Sequence, residues 1–398
     1  MTRTVLISGA GIAGPALAHW LRAHGMTPTV VERAPGVRPG GQTVDLRGAG
    51  RTVVERMGLE PAVRERLTHE RGLHFVDGAG RVRATFGADS FDGAGFVIDL
   101  EILRGELADL LHAHTSADTE YVFDDEITAL DDTGDHVRVS FRTGPDRVFD
   151  LVVLADGLRS RTRDLVFADL THHRGLGLHT AYFTIPREPG DDDFARWYNA
   201  PGGRSAVLRP DNLGTVRASL SFRSAPGGVD RLGVPAQKRF LREHYADAGW
   251  QTPRVLAGME AGSDFYFEAI GQVRLDRWSR GRVAVLGDAA YCPSPLSGMG
   301  TSLALVGAYV LAGELARHDD HAAGFAAYER VMRPYATQAQ KVSSLAPRLA
   351  TPQTRTGIRV LHRVLDLATK PALTRVGAHF ATPPADAIDL PDYAVASA

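Results

Sequence analysis

The chain has 398 residues, 44% of them hydrophobic and 23% charged, with a formal net charge of −2 at pH 7. That length exceeds one compact core and predicts two joined lobes, while the near-neutral charge excludes the electrostatic footprint of a nucleic-acid or anionic-membrane binder. A single cysteine, Cys292, excludes an internal disulfide and a cysteine metal cluster, and no apolar run is long enough to span a bilayer.

In chain order, residues 4–8 read as a short buried strand, entered without a leader of signal-peptide length, so a cytoplasmic location is expected. The turn Gly9-Ala10-Gly11-Ile12-Ala13-Gly14 follows. Residues 15–24 read as a helix with Ala16, Leu17, Trp20 and Leu21 on its apolar face, Gly25 stops it, and 28–32 form a second strand. This is a β–turn–α–β unit of dinucleotide-binding size. Gly9 permits the tight turn, Gly11 lets backbone approach a pyrophosphate, and Gly14 lets helix pack on strand. The helix N-terminus then faces phosphates. Glu32, ending the second strand, is placed to accept ribose hydroxyls, and Arg33 to stack on adenine. The turn specifies a dinucleotide without saying which.

Residues 51–57 and 104–112 have helical apolar spacing, and 72–96 turns to short strands. A strand pair at 137–141 and 147–153 feeds Asp156-Gly157. Between 171 and 267 the pattern is β-type (180–185, 205–208, 215–222), with a helical insert at 238–245 and loops at 186–192, 200–203 and 225–228. A buried strand at 283–286 leads to Gly287-Asp288, and helices are expected at 303–317, 325–345 and 358–369. Ile358, Leu361, Val364 and Leu365 form an apolar stripe on the last, for packing on the body, a dimer contact or a pocket lid. Dinucleotide-type segments bracket the β-rich middle. The expected fold is mixed α/β (α+β): a Rossmann-like lobe (1–71, 99–170, 268–340), an inserted antiparallel-sheet substrate lobe (72–98, 171–267) and a C-terminal helical segment (341–398).

The glycine turn, the segment Asp156-Gly157-Leu158-Arg159-Ser160 and the segment Gly287-Asp288-Ala289-Ala290 stand in one order and spacing. Together they resemble the three fingerprints of the FAD-dependent aromatic hydroxylases, the class A flavoprotein monooxygenases of the para-hydroxybenzoate hydroxylase fold. The loop Gly40-Gly41-Gln42-Thr43-Val44-Asp45-Leu46 is similar to that of the tetracycline-inactivating flavin monooxygenases. The resemblance implies non-covalent FAD, held by Gly9, Gly11, Ala13, Gly14, Glu32, Arg33, Gln42, Asp45, Arg104, Asp156, Gly157, Gly287, Asp288, Pro295, Gly298 and Gly300. In the family the aspartate matching Asp288 contacts the ribityl chain, Arg104 matches an arginine reaching the phosphate and ribityl region, and Asp156-Gly157, completed by Arg163, matches a motif serving FAD and the nicotinamide. The plainer alternatives are a helix cap for Asp288, a solvent-facing helix arginine for Arg104 and a structural turn for Asp156-Gly157.

The resemblance further implies NADPH or NADH as a transient co-substrate, oxygen, a C4a-hydroperoxyflavin as oxidant, and hydroxylation of an aromatic or polycyclic small molecule by a monomer or homodimer. No catalytic side chain is assigned, because the cofactor carries the hard step. Phe183, Arg209, Phe222, Phe265, Phe267 and Pro295 are the candidate substrate contacts, with Trp197, Tyr198 and Arg223 in the same lobe. Baeyer–Villiger oxidation, epoxidation, reduction or ligand sequestration on the same fold are the alternatives. The chain departs from the family in Tyr291 (usually His), Ser302 (often Asn) and Gly307-Ala308 (often Asp-Ala). No histidine spacing suits a metal, no nucleophile-elbow serine segment appears, and the tryptophan segment of the flavin halogenases is missing.

Overall fold

The computed structural model describes residues 2–87, 100–224, 228–343, 346–369 and 384–393. The strands and turns expected between 88 and 96 therefore lie outside the described residues. Strands Val283–Val285, Leu151–Leu154, Thr4–Ser8, Thr27–Glu32 and Glu120–Phe123 lie side by side in that order, all parallel, with the two-residue Ser279–Arg280 antiparallel at the edge. Val5, Leu6, Ile7, Val152, Val153 and Leu154 are fully buried, which is why these strands read as unbroken apolar runs rather than alternating ones. Helices Ala13–Ala23, Arg104–Thr115, Gly300–Arg317 and His321–Ala339 pack around this sheet.

A seven-stranded sheet carries Tyr266–Leu275, Thr171–Pro186, Thr215–Arg223, Arg204–Pro210, Phe194–Ala200, Gly72–Val76 and Val82–Gly87 in that order. All its pairings are antiparallel except Phe194–Ala200 with Gly72–Val76. Its outer face is apolar: Ala181, Phe183, Ile185, Leu208, Leu220 and Phe222 pack with Leu241, Tyr245, Val255 and Met259 of helices Val234–His244 and Thr252–Ala261. Period-two alternation puts Thr180, Tyr182, Arg209, Arg217, Ser219 and Ser221 on the other, inner face. Strands Thr171–Pro186 and Tyr266–Leu275 pair from Thr171↔Leu275 to Tyr182↔Tyr266, with one bulge between Gly175 and Leu178. The boundary drawn from the sequence at 267/268 falls inside the second of these strands.

The C-terminal helix spans Arg355–Ala368, and Thr354 caps it by accepting from Gly357 N. Leu365 and Ala368 pack against Leu73, Phe75, Ala84, Phe86 and Ala195 at the sheet's edge. Ile358 and His362 are buried, Leu361 and Leu365 half-buried, and Val364 is 56% exposed, so the expected stripe faces the body except at Val364. Residues 384–393 return to the first lobe: the Ala385 carbonyl accepts from Ala49 N and the Tyr335 hydroxyl, and the Tyr393 hydroxyl donates to Glu314 at 2.7 Å.

Candidate cofactor and substrate site

The glycine turn is built by close approach. Gly9 has φ +108°, and a Cβ there would lie 2.7 Å from the Ala155 carbonyl oxygen; one on Gly14 would lie 1.9 Å from the Gly9 oxygen. Gly11 differs, because a Cβ built there meets nothing within 4 Å. Two glycines are thus required by protein packing, and the third faces open space. The Glu32 carboxylate accepts from Ala10 N and Ala34 N, both at 3.0 Å, with Arg38 3.4 Å away. It pins the turn as well as facing the cleft beside it. That cleft is lined by Gly9, Glu32, Arg33, Asp125, Asp156 and Arg159, among others.

The second and third segments lock onto the first. Asp156 accepts from Ser160 Oγ at 2.5 Å and Thr162 Oγ1 at 2.6 Å, and burial raises its pKa. Gly157 takes φ +86°, and Ser160 caps the helix Arg161–Phe167 by accepting from Arg163 N. Arg163 is 1% exposed; its guanidinium donates to the Leu158 and Ala289 carbonyls at 3.2 and 3.3 Å. It therefore ties the Asp156 segment to the Asp288 segment. Gly287 takes φ +65°, and a Cβ on it would lie 3.2 Å from Ala13 Cβ, which closes the circuit back to the glycine turn. Burial raises the Asp288 pKa, opposed by its hydrogen bond with Cys292, whose thiol burial pushes well above its usual range. A neutral, buried thiol is a poor nucleophile.

Gln42 and Asp45 belong to a loop that packs over Arg104. Arg104 N donates to the Gln42 carbonyl at 3.0 Å and Gly105 N to the Gly40 carbonyl at 2.7 Å. A Cβ on Gly41 (φ +92°) would lie 2.8 Å from Arg104 Nε. Burial lowers the Arg104 pKa, while Tyr266 and Glu32 act to raise it, so Arg104 lies within electrostatic reach of both the glycine turn and the seven-stranded sheet. Asp45 is paired with Arg47 at 2.7 Å.

Arg209 holds two buried carboxylates. It donates to both Glu70 oxygens at 2.9 Å and to Glu101 at 2.6 Å, and Thr68 donates to Glu101 at 2.8 Å. Burial opposes the Arg209 charge, but Glu101 and Glu70 outweigh it and raise its pKa. Burial pushes Glu101 up to about 8 against the attraction of Arg209, with Glu70 and Asp45 adding to the rise. One positive group thus serves two carboxylates whose pKa values burial raises.

The aromatic candidates require a correction. Phe183, Phe222 and Phe267 are 1%, 1% and 4% exposed and lie with Phe265 in the outer-face core beneath the two helices. Phe222 contacts Phe240 and His244, and Lys238 sits over the Phe265 ring. Alternation identified two faces but not which one meets the cofactor lobe. The helix Thr252–Ala261, which sequence reading did not identify, claims the phenylalanine face. The missed signal was its own apolar set, Val255 and Met259, which needs such a partner.

The inner face carries polar side chains instead. Tyr266 Oη donates to Glu268 Oε2 at 3.3 Å, Tyr182 hydrogen-bonds the same carboxyl, and Arg159 lies over the Tyr266 ring at 5.7 Å. Burial pushes Glu268 up to about 7, and the Asp288 carboxylate adds to the rise. Arg217 pairs with Asp211 at 2.9 Å, and its Nη1 would lie 3.2 Å from a Cβ on Gly40. Below this face runs the Pro295 loop: Ser294 at φ +79°, the turn Pro295–Ser297, Gly298 at φ +64°, and the helix starting at Gly300. A Cβ on Gly300 would lie 3.8 Å from Asp288 Oδ1.

The departures from the family pattern interlock. Tyr291 is buried, and its hydroxyl sits where a Gly307 Cβ would be, 2.1 Å away. Tyr328 Oη donates to Tyr291 Oη at 3.1 Å. Ser302 donates to the Arg47 carbonyl at 3.2 Å, and Gly50 packs on its Oγ. These changes refill the helix contacts without removing the open face of Gly11, the buried Asp288 or the backbone of Gly298–Gly300. The residues present fit FAD.

Comparison with known proteins agrees. The FAD binding domain family matches residues 2–343. An uncharacterized protein of Mycobacterium tuberculosis (strain ATCC 25618 / H37Rv) is 46% identical over 332 residues, 82% of this chain and 88% of its own length. A flavin-dependent monooxygenase of Legionella longbeachae serogroup 1 (strain NSW150) is 38% identical over 85% of this chain and 87% of its own. The crystal structure of the tetracycline destructase Tet(55) superposes with a TM-score of 0.82 at 35% identity, covering 98% of this chain and 99% of that one. The chain belongs to the FAD-dependent monooxygenases.

Proposed function

We propose that this monooxygenase hydroxylates an aromatic or polycyclic small molecule held between the inner face of the seven-stranded sheet and the Pro295 loop, using NADPH or NADH as reductant. The observation that carries this is the inner face itself: Tyr182 and Arg159 cluster with Tyr266 and Glu268, and the last two lie within electrostatic reach of Asp288. The similarity to tetracycline destructases supports a polycyclic substrate. Bound FAD supplies the activation of oxygen when reduced.

The chain's own residues bind, orient and handle protons. The start of helix Ala13–Ala23, with the open Gly11, receives the pyrophosphate, Glu32 and Arg33 the adenosine end, and Arg104 and Asp288 the middle of the cofactor. The backbone N–H groups of Gly298–Gly300 and the start of helix Gly300–Arg317 put partial positive charge at the ring-facing end of the site. Tyr182 and Tyr266 frame the substrate space, and Glu268 can take a phenolic proton from a substrate through the Tyr266 hydroxyl. Asp156-Gly157, held by Ser160 and Thr162, shapes the turn that both cofactors pass.

The test is NADPH oxidation by the FAD-loaded full chain with tetracyclines and related polyketide phenols. Stimulated oxidation with a product one oxygen heavier, labelled from oxygen-18 gas, is expected. Absence of stimulation by any such compound overturns the substrate class, and an inserted ring oxygen in the product redirects it to Baeyer–Villiger chemistry.

A further inference from the structure

A second cavity, of about 410 Å³, opens at the far end of the inner face, where Arg174, Arg223 and Arg348 converge with Gln353. Its wall includes Leu176 and Gly177, the two residues that the bulge leaves out of the paired register, with Gly177 at φ +71°. Bulges re-aim backbone and side chains beside sites. No carboxylate lines this cavity among the described residues. Arg174 bonds the neutral amide oxygen of Gln272 at 3.3 Å, and among the described residues none of the three arginines has an acidic partner. By contrast, Arg204, Arg209, Arg217 and Arg254 are each matched to acids.

A further contact ties the cavity to the flavin-facing loop. Gln272 Nε2 donates to the Pro293 carbonyl at 3.1 Å, so the cavity lies one side chain from the loop that leads into Pro295.

We propose that Arg174, Arg223 and Arg348 form an anion-binding site that takes a phosphate or carboxylate carried by a ligand approaching the flavin loop. Guanidinium groups bind both anions through paired N–H donors. The two sources are the phosphates of the reduced nicotinamide dinucleotide, for which the chain has no second glycine turn, and an acidic group on the substrate. The use of the site in turnover rests on the hydroxylase reading; its binding of anions does not.

The probes are pyrophosphate and benzoate, titrated calorimetrically into the FAD-loaded full chain, with R223Q/R348Q as the variant and the solvent-facing R348Q alone as a variant that tolerates folding. The wild type is expected to bind at least one probe, and the double variant to weaken it about tenfold, or about 1.4 kcal/mol. Anaerobic flavin reduction then separates the sources. A rise of about tenfold in the NADPH concentration needed assigns the phosphate, whereas an unchanged NADPH requirement with weakened benzoate assigns the carboxylate. No binding of either probe by the wild type, or equal affinity in every variant, overturns the site even if the enzyme hydroxylates its substrate normally.

Discussion

Glu268 shows how a single side chain couples the site to pH. Its pKa rises from about 4.5 in the open chain to about 7 in the folded one, so between those values the folded protein holds a proton that the unfolded chain has released. Folding stability therefore falls as pH rises through this window, the reverse of a salt-bridged carboxylate. Glu268→Gln is expected to flatten the melting-temperature slope between pH 4.5 and 7, measured by thermal unfolding of the FAD-free full chain. Parallel slopes for wild type and variant would show that the carboxyl is not the group responsible. Nothing in the sequence around Glu268 announces this behaviour, because the rise comes from burial and from Asp288, twenty residues away. Gly9 and Gly14 are legible for the opposite reason: a positive φ at the first and a backbone oxygen 1.9 Å from a Cβ at the second are demands that only glycine meets.

Among the elements, the contact of the Gly287–Tyr291 segment with helix Gly300–Arg317 is the most instructive. Read singly, Tyr291 and Gly307 are two losses from a family pattern; in space each is the condition of the other. Gly307→Ala is expected to destabilise the wild type by about 1–3 kcal/mol through overpacking on the tyrosine hydroxyl. In the Tyr291→Phe background that oxygen is gone, the ring carbon stands 3.4 Å from the new methyl and only the movable Leu286 Cδ1, at 2.9 Å, must shift, so alanine's better helix propensity of about 1 kcal/mol should offset much of the loss. A double-mutant cycle by chemical denaturation checks this; additive effects would mean that the residues do not compete for one space. The same logic explains why the phenylalanine candidates lie in the core. A strand's alternation tells which residues share a face, but the face is assigned by what packs on it, and Phe183, Phe222, Phe265 and Phe267 are claimed by the two helices Val234–His244 and Thr252–Ala261.

At the scale of the whole molecule, the lobes expected from the sequence are recognisable as a parallel sheet and an antiparallel one, since the change from continuous apolar runs to alternation is a property of sequence. What the sequence did not disclose is that two strands belong to both. Thr171–Pro186 and Tyr266–Leu275 begin and end beside the parallel-sheet lobe and run on into the seven-stranded sheet, paired on both sides of the bulge at Leu176–Gly177. The tail reinforces that lobe separately, with Tyr393 set against Gly313 and bonded to Glu314.

Such a pair of strands acts mechanically as a beam. Bending it means breaking consecutive ladder hydrogen bonds, whereas a hinge needs only a few torsions in a linker. The molecule is therefore stiff between its halves, and a guest must enter through side-chain and edge movements rather than by the two halves swinging apart. Small-angle X-ray scattering should give the same radius of gyration with and without saturating ligand, and a contraction on binding would show that the beam yields.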